Sequence, residues 1–516
     1  MSTQIKYRAR VAKDEAYAGD VLHLERGNVD PDAPKQNVGY EYIDFEHSHQ
    51  KSPLERKLVW KIDLLLVPVL SLIYFIAYLD RNSLGNARIM GFQKSLRMTN
   101  QGYDNCAQLF FVGYMIFMLP GNILLRWVRP SYQLGGAIIV FGALVASLSA
   151  ATNYHTALAL RILIGASQAF IQGTGLYGSL WWKRNELATR GALYYSASTL
   201  SGAFSGLIGY AIQKNLTLKA TGRVPWEWLF IIEGTMGIGI GIFVLLILPQ
   251  FPDKMKHGKN WLFTAPEIEL AIQRVSTFNT RGSKLEWRQI FTALKDPKAW
   301  AFGFMNFGIS LGLSSLGIFL PTFIVDFGYT AARAQLFSII PYACAFVCLP
   351  TVAYLSDRTN IKGAFIILAL SVSSIGYIIL MTVSSVTVKM VGTCFICAGL
   401  YTGIVLTVTW LGINTGGFTK RGTVWALAEV LGQASAIMGS NVYTDRPRYI
   451  KGHSIVLAFL LFSICNAVAL IFWMRRQNLQ KDEILADYTA RGEAHPHVGR
   501  TLEQEFDEHI NFRYIL

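Results

Sequence analysis

The sequence predicts an all-α membrane protein of twelve spanning helices, arranged as two pseudosymmetric six-helix halves. Three observations carry this. Of 516 residues, 52% are hydrophobic and only 16% charged, a balance that soluble domains seldom show. The apolar residues come in blocks of about 20, the length of helix that crosses a bilayer. Blocks half a protein apart share landmarks. Arg190-Gly191-Ala192 opens the fifth and Arg421-Gly422-Thr423 the eleventh, which pairs Ser198 with Glu429 and Gly202 with Gln433.

Residues 1–57 are polar and read as a cytoplasmic N-terminal tail with no signal peptide. The apolar spans fall at about 62–90, 104–128, 133–151, 155–182, 188–214, 228–249, 298–325, 331–356, 361–384, 386–416, 420–443 and 453–475. Residues 58–249 and 298–475 are thus the two halves. With both termini inside, inner loops and flanks hold roughly 25 Lys and Arg and outer ones about 10. The segment 250–297 is the linker. Its Thr264-Ala265-Pro266-Glu267 is a capping box that starts a short amphipathic surface helix. Residues 476–516 are polar and read as a solvated C-terminal tail.

The net charge of +14 does not imply nucleic acid, because the basic residues sit in short loops and the aromatics inside apolar helices. The expected partner is the lipid bilayer. All six Cys lie in apolar segments, and Cys394-x-x-Cys397 has no further ligand nearby, so neither metal nor cofactor is expected. No nucleophile–base set appears, which argues against an enzyme. Asn215-Leu216-Thr217 is a glycosylation sequon in what the topology makes an outer loop.

The chemistry centres on Tyr78-Leu79-Asp80-Arg81-Asn82. A charge at mid-membrane costs about 2.5–3.5 kcal/mol by insertion scales, so two adjacent ones need a reason. Tyr74, Tyr78, Arg81, Gly85 and Arg88 share one helical stripe, so the helix is expected to run past Asp80. Neighbours on a helix face different ways. Arg81 is therefore expected to look into a central cavity and Asp80 toward another helix. In span four, Arg161, Gln168 and Gln172 share a face, and buried amides need partners or a cavity. Glu429, between Trp425 and Gln433, is a candidate protonation site. Asn306 in span seven and Trp410 and Asn414 in span ten are further cavity candidates. Asp357, Arg358 and Lys362 lie in the tight loop between spans eight and nine, where they could latch helix ends and gate access. The matching loop after span two keeps Arg126 but lacks the acid. Ser198-x-x-x-Gly202-x-x-x-Gly206 reads as a helix-packing seam.

Ala353-Tyr354-Leu355-Ser356-Asp357-Arg358 resembles the hallmark loop of the major facilitator superfamily. Further marks are Tyr78-Leu79-Asp80-Arg81, Trp181-Trp182-Lys183-Arg184-Asn185-Glu186, Trp226-Glu227-Trp228-Leu229-Phe230-Ile231-Ile232-Glu233-Gly234, Phe251-Pro252-Asp253, Leu320-Pro321-Thr322 and Pro447-Arg448-Tyr449-Ile450-Lys451-Gly452-His453. In order along the chain, these resemble the fungal allantoate/nicotinate permease-like branch of the anion:cation symporters. The resemblance implies import of a small organic anion with protons, Asp80 as a proton-linked acid and Arg81 as a substrate or gating residue. Gln168-Ala169-Phe170 departs from the family's Glu-Ala-Gly, and Gln168 cannot carry a proton, so either fewer protons move per cycle or Glu429 takes part. Tyr78, Arg81, Gln168, Gln172, Asn306, Trp410 and Asn414 are the expected substrate contacts. A monomer in the plasma membrane is expected. The alternatives are an exporter or facilitator for a small metabolite, or a non-transporting nutrient sensor.

Overall fold

The computed structural model describes residues 52–516, apart from positions 179, 184–185, 217, 256–261, 277–286, 444–447, 494 and 498–504; at a few helical positions, Arg126 among them, only the backbone is described. Expectations for residues 1–51 and for the Arg126 side chain fall outside the described residues. Twelve helices correspond to the twelve expected spans: α1 (Pro53–Ile89), α2 (Asn100–Trp127), α3 (Ser131–Leu148), α4 (Tyr154–Ala169), α5 (Leu187–Asn215), α6 (Pro225–Ile247), α7 (Pro297–Asp326), α8 (Ile339–Thr359), α9 (Lys362–Thr382), α10 (Val386–Ile413), α11 (Phe418–Asn441) and α12 (Ile450–Arg491). Among the described residues there is no strand.

Local chemistry sets the helix starts. Ser52 and Thr99 accept from the backbone N–H groups of Glu55 and Gly102, and Pro53 and Pro297 occupy first-turn positions where no donor is needed. Eight of the helices are long and apolar enough to cross a membrane on length and composition alone. The other four are α2, α4, α5 and α11. Three of these make contacts between the halves, where small and polar residues line the seam.

The pseudosymmetry is visible in the pairings. In the first half α1 packs on α5, α2 on α4 and α3 on α6. In the second, α7 packs on α11, α8 on α10 and α9 on α12. Across the halves α5 meets α8 and α2 meets α11, which are the same contact under that exchange. Packing is tight because glycines let backbones approach. A Cβ on Gly165 would sit 1.9 Å from the Phe110 carbonyl oxygen, and one on Gly142 would sit 2.7 Å from that of Gly234. The seam of Ser198, Gly202 and Gly206 faces the other half. A Cβ on Gly202 would meet Tyr342 at 2.5 Å, and one on Gly206 the Gln335 carbonyl oxygen at 2.6 Å.

Three expectations about the elements need correction. Span four is not one helix. It breaks after Ala169, passes through a turn stabilised by Ile171 N–H to Gln168 O at 3.0 Å, and resumes as Thr174–Gly178. Gly173 and Gly175 in this stretch weaken helix continuity. The linker forms two helices rather than one. Ala265–Ser276 binds the first half through Lys61–Glu267 (2.8 Å) and Arg274 to Glu55 (2.9 Å) and Glu186 (2.7 Å). Trp287–Lys295 binds the second half, where Gln289 Oε1 accepts from the N–H groups of Thr419 and Lys420, both at 3.1 Å.

The third correction concerns the C-terminal tail. α12 continues to Arg491 and ends at Gly492, whose φ of +71° suits glycine. Residues 505–516 then fold back, mostly buried, on the linker face of the second half. Asp507 receives Lys298 and Lys420, each at 2.5 Å. Lys481 Nζ donates to the carbonyls of Asp507, His509 and Phe512. The Leu516 carbonyl accepts from Lys362 N–H at 2.6 Å. Burial pushes the Asp507 carboxyl up, but Lys298 and Lys420 outweigh it and hold it well below the usual carboxylate range.

Candidate substrate cavity between the halves

A cavity of about 150 Å³ lies between the halves, walled by α1, α5, α7, α10 and α11 and by the broken span four. α1 supplies its polar floor. Tyr74, Tyr78 and Arg81 recur at helical spacing and all face inward, while Asp80 does not line the space. Gly191, Gly412, Arg421 and Gly422, at the ends of α5, α10 and α11 nearest the linker, also line it, so the cavity extends toward that face. The opposite face is sealed. A Cβ on Gly85 would sit 2.7 Å from the Ile318 carbonyl oxygen, and Tyr342 OH donates across the halves to Asn82 Oδ1 at 3.3 Å.

Arg81 is the cavity's central cation. Its guanidinium lies over the rings of Tyr78 (5.0 Å), Phe110 (5.1 Å) and Tyr114 (5.0 Å). Its Nε points at Gln168 Oε1, 3.5 Å away, and Gln168 Nε2 donates to the Ala77 carbonyl at 2.9 Å. No carboxylate lies within ion-pair distance of it among the described residues. Tyr78 OH meets Tyr195 OH at 2.8 Å, which places a second aromatic wall beside the guanidinium. Glu429 faces the cavity from α11, with Gln433 Nε2 3.4 Å from its carboxylate. The site therefore presents an unpaired planar cation among flat rings, with a carboxyl group on the other half.

The remaining candidates divide. Gln172 lines the cavity, because the break in span four turns it inward. Gln168 is buried behind Arg81 between α1 and α4. Asp80 is buried too, bound at 2.9 Å by Arg161. Three expected cavity residues are elsewhere. Asn306 is buried against α11, donating to the Ala428 carbonyl at 2.7 Å. Trp410 and Asn414 hold the chain's end. Trp410 Nε1 donates to the Ile515 carbonyl at 2.7 Å, and Asn414 exchanges hydrogen bonds with Ile515 at 2.9 and 2.8 Å. Both lie in the last turns of α10, below the cavity, and a returning tail that the sequence did not reveal supplies their partners.

Around the expected gate, Asp357 pairs with Lys362 and accepts from Thr189 Oγ1 of the first half. Arg358 is exposed and forms no ion pair among the described residues. Arg190 grips Asp63 with two bonds of 2.6 and 2.7 Å. Asn215 is exposed at the sealed-face end of α5, its amide on the Ala211 carbonyl at 3.0 Å, and Thr217 of the sequon is outside the described residues. Sequence reasoning missed Tyr195, Tyr401 and Arg421 as cavity residues. The only available signal was the Tyr194-Tyr195 pair in a helix otherwise rich in Ser, Gly and Ala.

A sequence profile described as the Major Facilitator Superfamily matches residues 70–440. The chain is 32% identical over 469 residues to the high-affinity nicotinic acid transporter of Saccharomyces cerevisiae, covering 90% of this chain and 85% of that protein. It is 33% identical over 461 residues to the MFS-type transporter cnsO of Penicillium expansum, covering 86% and 88%. Among solved structures it resembles the proton:xylose symporter XylE bound to 6-bromo-6-deoxy-D-glucose, with a TM-score of 0.65 at 15% identity over 80% of this chain and 95% of that one. At that identity the likeness shows a shared fold.

Proposed function

Since the chain belongs to the Major Facilitator Superfamily, whose members here are membrane transporters, we propose that it imports a small organic anion by proton symport, a flat aromatic carboxylate above all. The observation that carries this is Arg81, a guanidinium facing the shared cavity, stacked among rings and with no carboxylate at ion-pair distance among the described residues. Its planar fork matches a carboxylate, and the rings match an aromatic body. A relative named as a nicotinic acid transporter supports that substrate class.

In this reading the linker face is cytoplasmic, both termini are inside, and the structure is the inward-facing end of an alternating-access cycle. Closing that face brings together the ends of α5, α10 and α11 nearest the linker, while the Gly85–Ile318 contact opens. Asp357, Arg358, Lys362 and Arg126 belong to the inner gate. Asp80 and Glu429 are the acids linked to proton movement. The protein acts as a monomer at the plasma membrane, and Asn215 is a glycan acceptor on the outside.

The test is uptake of labelled nicotinate into proteoliposomes. Acid outside is expected to drive accumulation, and a protonophore to abolish it. Uptake that only equilibrates nicotinate across the membrane and is indifferent to the protonophore would leave a facilitator, and no flux of any small carboxylate would leave a sensor. In Glu429→Gln, unchanged coupling with normal expression removes Glu429 from the mechanism. Endoglycosidase treatment that leaves the mobility of the expressed protein unchanged sinks the glycan assignment.

A further inference from the structure

Behind the cavity floor, and separate from it, lies a second polar cluster in the first half. Asp80, Arg161 and Glu233 are all nearly inaccessible, at 1%, 1% and 2% exposure. Arg161 Nη1 binds Asp80 Oδ2 at 2.9 Å, and its guanidinium lies 5.8 Å from the ring of Phe230, one turn before Glu233 on α6. Glu233 is within electrostatic reach of both Asp80 and Arg161. Its Oε1 accepts from Ser83 Oγ, which in turn meets Ser205 Oγ at 2.8 Å. Asn86 donates to the same Ser205 hydroxyl at 2.8 Å.

The charge count does not close with all three groups ionised. Two carboxylates and one guanidinium leave a net negative charge on nearly inaccessible groups, which costs several kcal/mol for an unpaired ion. Arg161 is committed to Asp80. Glu233 Oε2, Asp80 Oδ1, Arg161 Nε and Arg161 Nη2 are buried without hydrogen-bond partners among the described residues. One guanidinium thus has donors to spare and two acids compete for it. No other element supplies a compensating charge. α3 packs on Gly234 through Gly142 and Ala146 and has no acidic or basic side chain, α5 brings only hydroxyls, and on α2 the groups that face Arg161 are Tyr103 and Cys106, both neutral when protonated.

We propose that Glu233 holds the transported proton, and that Arg161, within reach of both Glu233 and Asp80, is the counter-ion that responds when the proton leaves. With the proton on Glu233, Arg161 binds Asp80, as seen here. When the proton leaves, the Glu233 carboxylate competes for the free guanidinium N–H groups and loosens Arg161 from Asp80. Asp80 is the neighbour of Arg81 on α1, so that release alters how the anion-binding side chain is held. The arrangement also supplies the acid that Gln168 cannot. The inference rests on the proton-symport reading above.

The experiment compares wild type, Glu233→Gln and Glu429→Gln in proteoliposomes and by infrared spectroscopy. At one proton per anion, a gradient of about one pH unit drives about tenfold accumulation of nicotinate. Glu233→Gln is expected to lose that factor while still exchanging labelled for unlabelled nicotinate. The carbonyl band of a protonated carboxylic acid at neutral pH is expected in wild type and in Glu429→Gln, and to be absent from Glu233→Gln. Undiminished gradient-driven accumulation in Glu233→Gln, or a band that survives there and vanishes in Glu429→Gln, overturns the proposal. If Glu233→Gln fails to fold, Glu233→Asp takes its place. A shifted pH profile and a displaced band are expected, and an unchanged profile overturns the assignment. Wild type without acid-driven uptake sinks the symport reading and with it the transported proton, whereas the band still reports where the buried proton sits.

Discussion

The two halves repeat one another in helix pairing but use their charges in different places. The first half keeps Asp80, Arg161 and Glu233 deep among its helices. In the second half the ion pairs among the described residues gather at the linker face, where Lys298, Lys420 and Lys362 meet Asp296, Asp507 and Asp357. Charge at mid-membrane is expensive, and charge at the interface is not. In the proposed reading the first half holds the proton chemistry, while the second is braced from below by its own C-terminus and offers Glu429 and Arg421 to the cavity.

The sharpest break of this contrast is Arg161→Ala. It strands a buried carboxylate, and the loss is expected to be about 3–5 kcal/mol. Thermal unfolding in detergent measures it, and the double variant Asp80→Asn/Arg161→Gln is expected to recover most of the deficit. A single variant as stable as wild type would place the pair in water instead. Next in size is Arg81→Ala, which leaves the fold intact but removes charge-assisted bonds worth about 1.5–3 kcal/mol, an affinity loss of about 10- to 150-fold for nicotinate. Arg81→Lys is expected to fall between, because an ammonium lacks the fork.

In the second half, Asp507→Asn weakens two charge-assisted bonds and is expected to cost about 1.5–3 kcal/mol, read as faster proteolysis of the C-terminus. The pH dependence has a definite sign. The folded Asp507 value lies below the unfolded one of about 3.9, so its contribution is complete above that pH and disappears only as pH falls through the lower folded value. Protease protection of residues 505–516 is thus expected to persist in mild acid and to be lost in strong acid. Trp410→Phe, which deletes the bond to Ile515, is expected to cost least, about 0.5–1.5 kcal/mol, with nicotinate affinity unchanged. An affinity loss in that variant would return Trp410 to the substrate path.

Much of this was legible in the residues. The apolar blocks located all twelve helices, because bilayer thickness sets a length that a linear pattern displays. The stripe through Tyr74, Tyr78 and Arg81 assigned those side chains to one face, and the adjacency of Asp80 and Arg81 sent them to different ones, since both follow from the 3.6-residue turn. The partners were not legible. That Asp80 would find Arg161, 81 residues on, depends on α1 and α4 packing side by side. Glu233 stood in the sequence as one letter of a family mark, and its place beside Ser83 emerges only when α1, α5 and α6 close on one another.

Local periodicity thus determined which residues form helices, which face each shows and that the chain crosses a bilayer, because each of these is a property of neighbours in sequence. Tertiary packing decided that span four breaks at the cavity, that Trp410 and Asn414 grip a returning C-terminus, and that Arg161 pairs with Asp80 in a cluster that also buries Glu233. Those outcomes depend on contacts between residues up to 150 positions apart, which a one-dimensional pattern does not encode.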